Sequence, residues 1–273
     1  MNQTIAFLGA GSMAEAIIAG MTAKEIVPSN QIIATNRTNQ ERLTILEDKY
    51  EIQTSQDKQK AIVQSDMIIL AMKPKDITTS VEEILPYITK GKIVVSLLAG
   101  ISTSFIEKQL DKEIPVVRVM PNTSATIGQS ATTIAKGTFA TDKNMQLVET
   151  LMQSIGTTTV INEEDMDAFT ALAGSGPAFY YYMVEAMEQF VQNNDLDMEI
   201  AKPLMIQTLQ GVTEMLKESP DSPKVLREKI TSPGGTTEAG LNVLASYDFQ
   251  KAVYDCLEKA AQKSGELRKA FEK

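Results

Sequence analysis

A glycine-rich turn near the start of the chain has the residue types and spacing of a dinucleotide-binding site. An apolar run at residues 4–8 leads into Gly9-x-Gly11-x-x-Ala14, and a helical pattern follows without a break. In such turns the first glycine permits the tight bend, the second lets the backbone approach a pyrophosphate, and the small third residue keeps the helix close to the sheet. The N–H groups at the helix N-terminus then face the anion. We therefore predict a pyrophosphate site, with a plain strand-to-helix turn as the alternative interpretation.

The residues after the second strand-like run bear on which dinucleotide binds. The run at residues 31–35 ends in Asn36-Arg37-Thr38, where an NAD enzyme usually carries Asp or Glu for the ribose hydroxyls. A guanidinium instead suits the 2′-phosphate of NADP. The sequence therefore favours NADP over NAD, with NADH bound more weakly if at all.

A second cluster, residues 231–239, combines a Pro-Gly-Gly turn with the hydroxyls of Ser232, Thr236 and Thr237, and we predict that it opens the last long helix. Free N–H groups, a favourable helix dipole and these hydroxyls together predict a cradle for a small carboxylate. The alternative is a plain helix cap, because Ser and Thr before a helix with Glu238 nearby are ordinary capping residues.

Histidine is absent from the chain, and cysteine occurs once. A histidine-based zinc site, a Ser-His-Asp triad and a histidine proton shuttle are therefore excluded. Acid or base chemistry is left to Lys, Tyr, carboxylates, hydroxyls or water.

Short apolar runs recur through the first half with helical stretches between the early ones, which predicts a parallel, doubly wound sheet with helices on both faces. These runs lie at residues 66–72, 92–98, 116–120, 131–136 and 157–161. Ligands of such sheets bind beyond the carboxyl ends of the strands. Lys73, after the first of these runs, is a candidate to hydrogen-bond the cofactor, and Asn122 is a candidate to orient the nicotinamide or the substrate. The alternative for both is ordinary Lys-Pro and Pro-Asn turn chemistry.

From Glu163 onward the apolar residues recur at helical spacing and no strand-like run follows. We therefore predict a dinucleotide-binding domain at residues 1–162 and an all-helical domain at residues 163–273. Pro177 is placed as a first-turn residue of a long helix through Gln192, and a second helix is predicted at about residues 198–217. Ser175 in Ala-Gly-Ser-Gly-Pro is not a nucleophile elbow, because the spacing is wrong and histidine is absent. A methionine stripe in these helices, formed by Met183, Met187, Met205 and Met215, indicates core or subunit interface.

The bulk composition restricts the partners. The chain has 273 residues, is 43% hydrophobic and carries a net charge of −9, most of it in the second half. No basic patch of the kind that follows a phosphodiester backbone is present, so nucleic acid is not expected as a partner. Cys256 has no second cysteine to pair with, which is typical of a reducing compartment, and we expect a cytoplasmic protein. No run approaches the ~18 apolar residues of a membrane span.

Several motifs together resemble the pyrroline-5-carboxylate reductase family along essentially the whole chain. They are G-A-G-S-M-A-E-A-I, A-M-K-P, V-R-V-M-P-N, A-G-S-G-P-A-F and T-S-P-G-G-T-T-E-A-G-L, the last being the most specific. The resemblance implies NADPH-dependent reduction of the ring C=N bond of 1-pyrroline-5-carboxylate to L-proline, the last step of proline biosynthesis. It also implies interlocked helical domains that form a homodimer, often assembled into larger rings.

The same resemblance assigns site residues. Cofactor binding is assigned to Gly9, Gly11, Ser12, Met13, Asn36, Arg37, Ala71, Lys73 and Pro74. Substrate binding is assigned to Ser232, Gly234, Gly235, Thr236 and Thr237. A protonated imine is already an electrophile, so we expect catalysis to be mainly positioning, with Thr237 hydrogen-bonded to the ring nitrogen and the Gly-Gly amides and Ser232 holding the carboxylate.

Two other functions fit the two-domain plan. The first is a related NADP-dependent imine or 3-hydroxyacid reductase, but hydroxyacid members typically place a catalytic lysine on the long inter-domain helix, and residues 163–192 contain no lysine. The second is a dinucleotide-binding regulator that has lost turnover. Its expected signature is damage to the Pro-Gly-Gly-Thr-Thr block, which is intact.

Overall fold

The computed structural model describes residues 1–272, which divide into two compact units. The first unit is Met1–Pro177 together with the C-terminal residues from Leu257 onward, and the second is Ala178–Cys256. The C-terminal segment thus returns to the first unit, an arrangement that hydrophobic periodicity along a chain does not indicate.

The first unit contains one sheet. Its strands, in chain order, are β1 (Ile5–Leu8), β2 (Ile32–Thr35), β3 (Gln53–Ser55), β4 (Met67–Leu70), β5 (Ile93–Ser96), β6 (Val116–Met120), β7 (Ser130–Lys136) and β8 (Gly156–Ile161). They lie in the order β3-β2-β1-β4-β5-β6-β7-β8. The order reverses between β1 and β4, which is the switch point where ligands of doubly wound sheets bind.

The predicted strands are all present, and the sheet is parallel except where β7 pairs antiparallel with β6. The segment between these two strands, residues 121–129, is shorter than the dozen or so residues that a parallel crossover needs. Strand β3 was not predicted, because its three residues form no apolar run and are only partly buried.

Helices cover both faces of this sheet. In the first unit they are α1 (Ser12–Ala23), α2 (Gln40–Tyr50), α3 (Lys58–Gln64), α4 (Ile77–Ile84), α5 (Thr103–Leu110), α6 (Asp142–Met152) and α7 (Met166–Phe169). Successive strand residues point to opposite faces, so Phe7 packs into one core cluster and its neighbour Leu8 into the other. The two-sided core confirms the doubly wound sheet.

The second half of the chain is helical from Glu163, as predicted. Its longer helices are α8 (Gly176–Asn193), α9 (Met198–Glu218), α10 (Pro223–Lys229), α11 (Thr236–Ser246) and α12 (Phe249–Phe271). The Pro-Gly-Gly turn opens α11 and not the last long helix, so that expectation was wrong. The helical path is interrupted between α11 and α12 at Asp248, which adopts a left-handed φ of 49°. No glycine or proline at this position indicates the interruption in the sequence.

The second unit has almost no core of its own. Of residues 178–256, all of which the structure describes, only Val191 has a buried side chain. Met187 and Met215 of the methionine stripe are 41% and 54% exposed, and Tyr180 and Ile200 are exposed as well. These apolar faces therefore form surface and not core, which leaves the subunit interface as the interpretation of the stripe. Among residues 1–272 no helix is long and apolar enough to cross a membrane.

Two groups of charged side chains hold the helical segments of the first unit, one against the sheet and one between two helices. Arg118 of β6 is 1% exposed and places its Nη1 3.3 Å from Oε1 of Glu163. Near the chain end, Asp167 accepts hydrogen bonds from Ser264 Oγ at 2.7 Å and from Arg268 Nε at 3.1 Å. The end of α12 is thereby held against the segment that follows β8.

Candidate active site

The tight turn after β1 requires glycine at its first position. Gly9 has a φ of +119°, which side-chain-bearing residues rarely adopt, and a Cβ there would lie 2.6 Å from the carbonyl oxygen of Ala71. Ala71 follows β4 and donates its N–H to Leu8 O at 3.0 Å. The structure therefore brings Gly9 and Ala71 together at the switch point of the sheet.

The N-terminus of α1 is suited to an anion. Gly11 is the N-cap residue, no side chain caps the helix, and a Cβ on Gly11 would meet no atom of residues 1–272 within 4 Å. The first helical hydrogen bond runs from Glu15 N to Gly11 O at 3.0 Å. The N–H groups of Ser12 and Met13 consequently have no helical acceptor. These residues fit the pyrophosphate of a dinucleotide.

Asn36 shapes the loop that carries Arg37. Its Oδ1 accepts the N–H groups of Thr38 at 3.1 Å and Asn39 at 3.0 Å, so the loop is closed by Asn36 itself. Arg37 is exposed, and no carboxylate within residues 1–272 forms a salt bridge with it. Its guanidinium is therefore available for a phosphate.

The remaining cofactor candidates lie after β4. Lys73 is exposed and directly precedes a short 3₁₀ turn, Pro74–Asp76. Because β1, β2 and β4 run parallel, these residues lie with Gly9 and Arg37 at the carboxyl ends of the strands.

Asn122 is buried and its side chain holds backbone in place. Its Nδ2 donates to Ala173 O at 3.0 Å, and its Oδ1 accepts from Ser124 N at 3.1 Å. Ala173 belongs to a π-helical turn, Thr170–Gly174, of the kind often found at functional sites. Asn122 thus positions the segment that leads into α8.

Sequence reasoning missed a cluster beside the glycine turn. Arg42 of α2 donates its Nε–H to Ala10 O at 2.8 Å, and its Nη2 lies 2.5 Å from Oε2 of Glu15. These partners are 32 and 27 residues apart in the chain, so no local pattern indicates their contact.

The Pro-Gly-Gly turn forms at the start of α11. Gly234 has a φ of +72°, and Gly235 is the N-cap residue without a side-chain cap. The Gly234 N–H donates to Oε2 of Glu238 at 2.8 Å, and the Gly235 N–H donates to Ser232 O at 3.0 Å. Both amides are engaged within the turn in this conformation, and their binding of a carboxylate stays a prediction.

Other donors of the same block have no partner in the helix. The first hydrogen bond of α11 runs from Ala239 N to Gly235 O at 3.1 Å, which leaves the N–H groups of Thr236 and Thr237 without helical acceptors. Within residues 1–272 the hydroxyls of Ser232, Thr236 and Thr237 cap no backbone group. The plain-cap interpretation thus does not account for these three hydroxyls, and the block retains the capacity to bind an anion.

An open groove of about 770 Å³ lies beside this block in the second unit. Its walls come from α10, α11 and the start of α12, and include Arg227, Glu238, Leu241 and Phe249. Ser232, Thr236 and Thr237 are not among the described residues that line it.

The chain matches known families in both parts. Residues 163–267 match a family model described as "Pyrroline-5-carboxylate reductase dimerisation". Residues 4–100 match one described as "NADP oxidoreductase coenzyme F420-dependent". The chain is also 45% identical over 267 residues to Pyrroline-5-carboxylate reductase 2 of Bacillus subtilis (strain 168), covering 98% of this chain and 96% of that protein.

Solved structures extend the likeness to the whole fold. A pyrroline-5-carboxylate reductase from Coxiella burnetii superimposes with a TM-score of 0.89 at 32% identity and covers 98% of this chain and 99% of its own. The Plasmodium falciparum pyrroline carboxylate reductase with NADP bound gives a TM-score of 0.90 at 27% identity, with 98% of each chain covered.

Proposed function

Because this chain belongs to the pyrroline-5-carboxylate reductase family, we propose that it reduces the C=N bond of 1-pyrroline-5-carboxylate to give L-proline, with NADPH as the reductant. The observation that carries the proposal is the start of α11. Its N–H groups and three hydroxyls have the chemistry to bind a small carboxylate and a ring nitrogen, and a helix cap alone leaves them unexplained.

We propose that the first unit binds the cofactor at the carboxyl ends of its parallel strands. Gly9, Gly11, Ser12 and Met13 surround the pyrophosphate, and Asn36 presents Arg37 to the 2′-phosphate. The cofactor site is completed by residues that follow β4, namely Ala71, Lys73 and Pro74. NADPH, when bound, supplies the hydride.

The substrate is assigned to the Pro-Gly-Gly-Thr-Thr block. Gly234 and Gly235 form the turn, while Ser232 and the N–H group of Thr236 hold the carboxylate. Thr237 Oγ1 accepts a hydrogen bond from the protonated ring nitrogen, which orients the C=N carbon and stabilises the charge during reduction. Asn122 remains a proposed substrate-site residue that acts by holding the Ala173 backbone.

The direct test of this function is oxidation of NADPH by the purified protein, followed at 340 nm. We expect turnover with 1-pyrroline-5-carboxylate and little with a panel of keto acids and other cyclic imines. A preference for a hydroxyacid-forming keto acid, or NADPH binding without any turnover, would contradict the proposal.

Replacing Arg37 tests the choice of cofactor. We expect Arg37→Ala to raise the KM for NADPH about 10- to 150-fold, because a charge-assisted contact to phosphate contributes roughly 1.5–3 kcal/mol. The KM for NADH should stay nearly unchanged, since NADH has no 2′-phosphate. Arg37→Lys keeps the charge without the planar fork and should give an intermediate KM. Equal losses with both cofactors would mean that Arg37 does not contact the 2′-phosphate.

We further propose that residues 163–273 act as one functional domain, distinct from the dinucleotide-binding residues 1–162. The dimerisation family match and the exposed apolar faces of α8 and α9 support a homodimer formed by this region. A larger ring of dimers is proposed on the family resemblance alone. A cytoplasmic location is proposed because Cys256, the single cysteine, has no partner for a disulfide within the chain.

A further inference from the structure

A cluster of four side chains, the Glu15 cluster, joins α1 to α2. Its members are Glu15, Arg42, Lys49 and Tyr50. The Glu15 carboxylate accepts hydrogen bonds from Arg42 Nη2 at 2.5 Å, Lys49 Nζ at 3.0 Å and Tyr50 OH at 2.9 Å. The hydrogen bond from Arg42 is the main reason that the pKa of Glu15 falls to about 2, with burial opposing the shift. Glu15 is therefore ionised at neutral pH and fixes the Arg42 guanidinium.

The same guanidinium reaches the glycine turn. Arg42 Nε lies 2.8 Å from the carbonyl oxygen of Ala10, which sits between Gly9 and Gly11. A peptide unit is planar and trans, so its N–H points opposite to its C=O. Pinning the Ala10 carbonyl therefore also fixes the direction of the Gly11 N–H. This peptide unit lies between Ala10 and Gly11, and the missing side chain of Gly11 leaves it free to rotate when Arg42 does not hold the Ala10 carbonyl.

We propose that Arg42 is a positioning residue for the dinucleotide, which holds the Ala10–Gly11 peptide in the orientation that receives the pyrophosphate. This inference rests on the proposed function, since it requires that the turn binds NADPH. It assigns Arg42 a role different from that of Arg37, because the pyrophosphate is common to NADPH and NADH.

Hydrogen bonds also connect Arg42 to the loop that carries Arg37. The backbone N–H of Arg42 donates to Asn39 Oδ1 at 2.8 Å, and the backbone N–H of Asn39 donates to Asn36 Oδ1 at 3.0 Å. The loop after β2 and the turn after β1 are thus tied together through the first turn of α2. Arg42 thus contacts both segments of the proposed cofactor site, the turn after β1 through its side chain and the loop after β2 through its backbone.

The test is direct nucleotide binding, measured by titrating the fluorescence of NADPH and of NADH with each protein. We expect Arg42→Met to raise the Kd for both nucleotides by a similar factor of about 10, the loss typical of one charge-assisted hydrogen bond. The KM for the imine should change little, whereas the melting temperature should fall because the Glu15 carboxylate loses its main hydrogen-bond donor. Lys49→Met is the matched control, because it removes a cation from Glu15 without touching Ala10, and its Kd values should stay within about twofold of wild type.

Two further variants separate positioning from charge. If Arg42 served only to neutralise Glu15 near the bound phosphates, Glu15→Gln combined with Arg42→Met would restore wild-type binding, which would overturn the proposal. We expect the double variant to remain weak for both nucleotides. Should Arg42→Met fail to fold, Arg42→Lys keeps a cation beside Glu15 but cannot bond both acceptors through a rigid fork, and it should also weaken both nucleotides.

The outcomes distinguish this inference from the function on which it rests. Wild-type affinity for both nucleotides in Arg42→Met, or in Arg42→Lys where Arg42→Met does not fold, would contradict the role of Arg42 alone. Loss of NADPH binding without loss of NADH binding would also contradict it, because Arg42 would then be acting on the 2′-phosphate. Failure of the unaltered protein to bind NADPH would instead contradict the proposed function.

Discussion

Glu163→Ala should destabilise the protein by about 3–5 kcal/mol, the usual cost of leaving one member of a buried ion pair without its partner. Arg118 is 1% exposed, and its Nε and Nη2 have no acceptor within residues 1–272. Glu163 Oε1, 3.3 Å from Nη1, is the carboxylate that compensates this buried charge. Burial lowers the pKa of Arg118, with Glu163 opposing the shift, but guanidinium does not lose its proton at any pH that the fold survives.

The same carboxylate also holds the start of α5. Its Oε1 accepts from Thr103 N at 2.8 Å, and its Oε2 accepts from the Thr103 hydroxyl. Glu163→Gln removes the charge and replaces one of the two accepting oxygens with an NH2 donor, but it keeps one oxygen acceptor, so we expect a smaller loss, about 1–3 kcal/mol. Urea unfolding at one fixed protein concentration measures both.

A double variant isolates the charge. Arg118→Met removes the group that needs compensation, so Arg118→Met with Glu163→Ala should be less destabilised than the sum of the two single changes. Strict additivity, or a loss under 1 kcal/mol for Glu163→Ala alone, would mean that another carboxylate such as Asp167 neutralises Arg118.

The second large effect is expected in turnover. Thr237→Val keeps the branched shape and deletes only the hydroxyl, so it isolates the hydrogen bond to the ring nitrogen. We expect kcat to fall about 10-fold to 10³-fold, the range for losing one preorganised hydrogen bond, while NADPH affinity is retained. The protonated substrate limits the loss, because the hydroxyl orients the ring and is not the sole route for a proton.

Ser232→Ala is the companion measurement for the same block. A carboxylate contact is felt equally in the ground and transition states, so this change should raise KM and leave kcat close to wild type. Steady-state rates across pH 6–9 would separate the two effects. Unchanged kcat/KM for both variants would place the substrate outside the Pro-Gly-Gly-Thr-Thr block.

The features that were predictable from sequence are those set by neighbours along the chain. Gly9 needs its positive φ because of the turn that it makes, and Pro177 lies in the first turn of α8, where proline is well tolerated. The direction of β7 was not predictable, because an apolar run is the same in a parallel and an antiparallel strand. The length of its connection was the available signal.

Contacts between distant residues account for most of what the sequence did not indicate. The partners Arg42 and Ala10 meet because α2 packs beside α1, and Arg268 reaches Asp167 across 101 positions of sequence. The run V-V-R-V-M also gives no sign that the side chain of Arg118 is buried. The same pattern occurs in a strand whose charged residue faces solvent. Such contacts depend on tertiary packing and not on local propensity.

The absence of a core in residues 178–256 makes assembly part of folding. With Val191 as their one buried side chain, these helices gain too little apolar burial to offset the conformational entropy that they lose on ordering. We expect contacts with another copy to supply the missing burial, in which case the law of mass action governs the order of these helices. The proposed carboxylate site lies in this segment, and the active fraction of the protein becomes a function of how much protein is present.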